Sequence, residues 1–165
     1  MTVTHLIATF FGIGHLRPAP GTWGSLAALP CAGLLHMAGG PVLLGVGIVV
    51  AFALGWWATS VETAGKADDD PAEIVIDEVA GQWLAFLPVS IGAMHAGASL
   101  FALWPGWVTA FVLFRLFDIW KPGPIGWADR QGGPMGVMLD DMLAGLAAAL
   151  GVMAFAALSH GVLGL

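Results

Sequence analysis

Charge is scarce in this chain. Only 10% of its 165 residues are Asp, Glu, Lys or Arg, and 58% are hydrophobic, whereas soluble domains usually carry roughly 25% charged residues. So little charge implies lipid rather than water as the main solvent. Basic residues are few: five Lys and Arg against eleven Asp and Glu leave a net charge of −6, which argues against nucleic acid as a partner, since a phosphate-backbone binder needs a basic surface. A single cysteine, Cys31, lies in an apolar run and excludes an internal disulfide. The opening stretch to Ser25 has no basic n-region, and glycine and proline interrupt it before any sustained apolar run. It is therefore not read as a cleavable signal peptide. The length suits one domain over residues 1–165.

What is present is a series of apolar segments at about 26–38, 42–58, 79–93, 101–117 and 142–165. A membrane span needs about 20 mostly apolar residues. The second, fourth and fifth segments meet that; the first is short, and the third is marginal unless its helix starts near Ile74. The pattern predicts an all-α, multi-pass membrane protein of about five apolar helices with a polar site at one face. Arg17, Lys66, Arg115, Lys121 and Arg130 all fall on one side if every segment crosses, whereas the turns near His36 and His95 hold no formal charge. The positive-inside rule then puts the N-terminus and the charged face in the cytoplasm and the C-terminus outside. Tryptophans fall mostly near predicted segment ends, as an interfacial belt requires, with Trp83 the exception. A soluble helical domain would need polar helix faces that several segments lack.

Three constellations carry chemistry. The loop from Gly12 to Ser25 runs into an apolar helix, where Thr22 or Ser25 can cap the helix start and free N–H groups around Gly21 suit a phosphate. Taken alone, that loop is read more simply as an ordinary Pro/Gly-rich turn with a helix cap, because helix starts at Thr or Ser are common. The second is Asp68 to Gly81, in which Asp68–Asp70 read as a solvated loop with a helix start at Asp70–Pro71. Glu73 and Asp77, four apart, then share a helix face beside Glu78. The third runs from Arg115 to Asp141: Arg115 and Asp118 lie three apart at a segment end, Pro122 and Pro124 stop the helix, Asp129 lies in a glycine-rich loop, and Asp140–Asp141 reopen a helix.

Acids near helix N-termini gain about 0.3–1 kcal/mol from the helix dipole, and that alone could explain Asp77, Glu78, Asp140 and Asp141. Carboxylates about 4 Å apart, however, repel by roughly 4 kcal/mol at an effective dielectric near 20, so converging acids need a cation. Oxygen ligands, with no cysteine and no paired histidines nearby, indicate Mg²⁺ or Mn²⁺ rather than Zn²⁺. His36, His95 and His160 fall at the opposite face, and His5 and His15 lack metal-ligand spacing.

With PAPGTWGS at 18–25, EIVIDEVAG at 73–81, and FRLFDIWKPGPI followed by GGPMGVMLDD at 114–141, the chain resembles the phosphatidylglycerophosphatase A family over most of its length. The resemblance implies Mg²⁺-dependent hydrolysis of phosphatidylglycerophosphate at the inner face of the bacterial inner membrane. It also implies roles for Asp77, Glu78, Asp118, Asp129, Asp140 and Asp141, with Lys121 among the phosphate contacts. On this reading Glu73, Asp77, Glu78, Asp118, Asp140 and Asp141 are candidate ligands of one or two Mg²⁺. Arg115, Lys121, Gly21, Thr22 and Ser25 are phosphate contacts. Asp129, Lys121, Asp118 and Thr22 form the catalytic set, with Asp129 orienting water or protonating the leaving alkoxide. Water attack is preferred to a phosphoenzyme, since neither a cysteine nor a Ser/His pair accompanies the acids; a nucleophilic Thr22 or aspartate is the alternative. The Asp-Gly and Ala-Arg steps of CDP-alcohol phosphotransferases are absent, as is the Ser-Gly-His step of lipid phosphatases with a histidine nucleophile. A small ion or solute transporter would place ionisable residues mid-span, and none is predicted there. Oligomeric state is not legible.

Overall fold

The computed structural model describes residues 2–68 and 70–162, so Asp69 and the last residues of the fifth predicted segment lie outside the described residues, as does the side chain of His160. Among the described residues every regular element is helical: α1 (Val3–Ala8), α2 (Pro20–Glu62), α3 (Ile76–Ala96), α4 (Trp104–Trp120), α5 (Pro124–Asp129) and α6 (Gly133–Val162). Four of these are long and apolar enough to cross a membrane, with a short 3₁₀ turn at Leu100–Leu103 extending the third.

The first two predicted segments are joined in α2, whose 43 residues would span about 65 Å if straight, twice a bilayer core of roughly 30 Å. They do not run straight. Gly39 and Gly40 leave helical geometry, Gly40 at φ 64°, ψ −160°, a region open in practice only to glycine. Beyond them the chain doubles back: Leu35 and Trp83 both pack on Gly47, and the Gly24 and Gly55 levels meet the neighbouring residues Val75 and Ile76. The arms 20–38 and 41–62 are thus antiparallel, each close to one bilayer thickness. With α3, α4 and α6 they make five apolar arms.

Buried positions on these arms are dominated by small residues, among them Ala28, Ala32, Ala51, Ala58, Ala85, Ala110, Ala144 and Ala148, around Leu44, Phe86 and Phe114. The outside carries Leu34, Val42, Val49, Val108, Ile119, Leu150 and Phe155, all more than half exposed. Small residues inside and large apolar ones outside is how helices pack in lipid. Trp83 departs from the interfacial pattern because its indole Nε1 donates to the Ala28 carbonyl at 2.8 Å within the bundle.

The tightest crossing joins α3 and α6. A Cβ on Gly81 would lie 2.5 Å from the Asp141 carbonyl oxygen, and one on Gly145 would strike the Gly81 carbonyl. Two helix backbones touch there, one turn from Asp77 and one from Asp141. Gly145→Val should therefore lower the thermal unfolding midpoint in detergent and cost about 1–3 kcal/mol, as overpacking does; an unchanged midpoint would contradict this crossing.

The N-terminal segment braces the turn between α2 and α3. Thr2 caps α1, its hydroxyl accepting from the His5 amide at 3.1 Å. The Ala8 carbonyl accepts from the Val75 amide at 2.8 Å, and Gly14 sits against the Glu73 backbone. Glu62 accepts from the Thr4 hydroxyl at 2.5 Å and lies 3.3 Å from His5 Nδ1.

Candidate active site

Four helix segments meet at one end of the bundle: the first turn of α2, the start of α3, the last turns of α4, and the third turn of α6. Between them lies a cleft of about 320 Å³ lined by Gly21, Thr22, Asp70, Asp77, Glu78, Arg115, Asp118, Lys121, Asp140 and Asp141, with Ala19, Pro20, Ala72 and Ile74 completing the wall.

The acids come in two similar pairs. Asp77 Oδ1 accepts from the Glu78 amide at 3.0 Å, and Asp140 Oδ1 accepts from the Asp141 amide at the same distance. Gly81 stands four residues after Asp77 and Gly145 four after Asp141, so the backbone crossing brings the pairs together. Oxygens of Asp77, Glu78 and Asp141 lie within 4.8 Å of one another, and so do those of Asp118, Asp140 and Asp141. Asp141 belongs to both sets. The acids are largely buried: Asp77, Asp140 and Asp141 are 6%, 4% and 3% exposed. Glu78 Oε2 and Asp141 Oδ2 are buried with no hydrogen-bond partner, a state that costs free energy unless a cation completes it.

Asp77 and Glu78 occupy the first turn of α3, so the helix dipole favours them. Asp140 and Asp141 do not share that explanation: α6 begins at Gly133, two turns earlier, and the dipole effect fades within the first turn.

The cations face these acids. Arg115 Nη1 is 2.6 Å from Asp118 Oδ2, one helical turn away, and donates to Ser25 Oγ at 3.3 Å. Lys121 leaves α4 in the left-handed region at φ 48°, which turns its ammonium back between Asp129 and, at 2.5 Å, Asp140. Partial burial works against the Lys121 ammonium, but its hydrogen bonds to Asp129 and Asp140 prevail and hold its pKa above the ordinary lysine range. It stays charged wherever the protein is folded near neutrality.

The first turn of α2 supplies the remaining wall. Proline at position 20 starts the helix, and the first backbone bond into it is donated by Trp23 to Ala19, leaving the Gly21 and Thr22 amides ahead of the helical ladder. A side chain on Gly21 would collide with Glu78 Oε1. Thr22 brings the one hydroxyl among the lining residues.

Several predicted residues lie elsewhere. Glu73 stands in the turn before α3, which starts at Ile76 rather than at Asp70–Pro71; it shares no helix face with Asp77 and lies outside both acidic sets. Ser25 is fully buried, its hydroxyl donating to the Gly21 carbonyl at 2.8 Å, so it touches Arg115 rather than the cleft. Asp129 ends the short helix α5, where a loop is predicted, and reaches the cleft only through Lys121. Asp70 lines the cleft although its run reads as a plain solvated loop. Gln82 is not among the residues the sequence predicts for the site, yet it is fully buried one turn beyond Glu78 with both amide atoms unpaired; a lone amide in an apolar run is its only mark in the sequence. His5 and His15, unconnected by spacing, approach to 3.1 Å between their Nε2 atoms, away from the cleft lining.

The family model for phosphatidylglycerophosphatase A matches residues 6–156. The chain belongs to the phosphatidylglycerophosphatase A family. It is 34% identical over 153 residues to the phosphatidylglycerophosphatase A of Escherichia coli K12, covering 92% of this chain and 81% of that one. The Haemophilus influenzae phosphatidylglycerophosphatase A is 36% identical over 151 residues, covering 91% and 86%. A Bacteroides thetaiotaomicron relative, 36% identical over 152 residues and covering 86% of each chain, is named provisionally as a phosphatidylinositol-3-phosphatase. No solved structure matches. Membership of the phosphatidylglycerophosphatase A family makes the chain a phosphoric monoester hydrolase of phospholipid metabolism.

Proposed function

We propose that this cleft hydrolyses phosphatidylglycerophosphate to phosphatidylglycerol and phosphate at the cytoplasmic face of a bacterial inner membrane, using Mg²⁺ held by Asp77, Glu78, Asp118, Asp140 and Asp141. The reading is carried by one observation: carboxylates from three helices converge beside Arg115 and Lys121 at one end of an apolar bundle. Six carboxylates and two cations line the cleft, so a phosphate dianion would meet net repulsion without further positive charge. An all-oxygen donor set with two orphaned carboxylate oxygens suits a hard divalent cation. When bound, that cation would polarise the phosphoryl group and acidify a water.

The chain's own residues supply the rest. Arg115, fixed by Asp118 and Ser25, and Lys121, fixed by Asp129 and Asp140, offer preorganised positive charge to the phosphoryl oxygens that gain charge during transfer. The Gly21 and Thr22 amides add donors at a helix N-terminus. Asp129 acts as a positioning residue for Lys121. The orientation is supported by the charge pattern, with Arg17 and Lys66 at the same end as Arg115, Lys121 and Arg130. A headgroup can then enter from the interface while its tails stay among the helices.

Chelation is the direct test. Stripping divalent ions from purified protein should lower phosphate release from phosphatidylglycerophosphate by about a hundredfold or more, and added Mg²⁺ should restore it. Full turnover in metal-free buffer would remove the cation from the reading, and no release under any condition would remove the phosphatase.

A further inference from the structure

Beside the cleft lies a second cavity, of about 370 Å³, bounded by Phe117 of α4, the Pro122–Ile125 linker and the Leu143–Leu150 face of α6, with no polar side chain in its lining. We propose that this groove holds an acyl chain of the same lipid whose phosphate occupies the cleft, an assignment that rests on the phosphatase reading above.

The groove continues from the cleft. Asp140, Leu143, Ala147 and Leu150 recur at intervals of three, four and three, so they form one stripe along α6. That stripe starts with a carboxylate in the cleft and continues as the groove wall. On α4, Phe117 is the neighbour of Asp118 and stands one turn before Lys121. The Lys121–Asp140 ion pair therefore marks the boundary where polar cleft passes into apolar groove.

The groove wall on α6, from Leu143 to Leu150, rises about 10 Å, which fits within the roughly 15 Å that one leaflet contributes to a hydrocarbon core of about 30 Å. The groove is also reachable from the bilayer side. Leu146 and Leu150 are 48% and 59% exposed, so the groove opens sideways to the bilayer and a tail can slide in without leaving it. At the polar end the linker closes over it, with Ile125 buried. A tail seated there would hold the ester phosphate at the Lys121 end of the cleft.

The test blocks the groove and compares two substrates. Ala147→Trp, and separately Leu150→Trp, are assayed for phosphate release from dioleoyl phosphatidylglycerophosphate in mixed micelles and from its soluble dibutanoyl analogue. Loss of a few buried methylenes should lower kcat/KM for the dioleoyl ester by about tenfold while the dibutanoyl ester stays within about twofold. Retained turnover of the short ester shows that the variant is folded. Equal effects on both esters in both variants, or no effect on either, overturn the groove: its occupant is then bulk lipid. Wild-type protein that hydrolyses neither ester refutes the phosphatase reading, and the groove assignment falls with it.

Discussion

Asp141→Asn should lower phosphate release on the order of 10³-fold while leaving a protein that extracts and unfolds like the wild type. Asp141 is the one carboxylate shared by both acidic sets, it is 3% exposed, and its Oδ2 has no hydrogen-bond partner. Asparagine keeps its shape and removes the charge that a cation would need. The companion readout is thermal: Mg²⁺ should raise the unfolding midpoint of the wild type, because a ligand bound only by the folded state stabilises it, and this shift should vanish in Asp141→Asn. Glu73→Gln serves as the contrast, since Glu73 lies outside both sets, and should stay within about twofold of wild type. An Asp141→Asn protein with wild-type turnover, or one that keeps the Mg²⁺ shift, would show that the shared carboxylate is not a ligand.

Lys121→Met is expected to cost roughly 10²–10³ in kcat/KM. It should also destabilise the protein by about 3–5 kcal/mol, because the buried Asp140 carboxylate loses its partner. A divalent cation should recover part of that stability by supplying the missing charge. Asp129→Asn should do much less, about tenfold in activity, because its exposed carboxylate only helps to hold the ammonium in place. Activity at several Mg²⁺ concentrations and melting in detergent would separate the cases. If Asp129→Asn were as damaging as Lys121→Met, Asp129 would have to touch the reacting groups.

Much of this architecture is legible in the chain because lipid imposes a simple rule: long apolar runs cross, and charges gather at their ends. The acids of the cleft follow from that rule together with the electrostatic cost of bringing them together. What composition does not reveal is where a helix starts when no strong cap marks the place. Asp70–Pro71 looks like a helix start, yet α3 begins at Ile76, and this removes Glu73 from the Asp77 face. The glycines at 132 and 133 open α6 well before its acids. Nor does spacing show that α2 doubles back at two glycines without a polar loop, or that Ser25 turns away from the cleft to hold Arg115. Trp83 reads as an interfacial residue out of place until its bond to the Ala28 carbonyl is seen.

The contact of Gly81 with Gly145 makes the helix pair behave like scissors whose rivet sits beside the blades. Bilayers of different thickness are accommodated by tilting spans, and a change in tilt swings the far ends of α3 and α6 through the largest arc. The acidic pairs, one turn from the rivet, scarcely move apart. The separation of the acidic pairs is therefore set by the backbone contact beside them rather than by the far ends of the two helices.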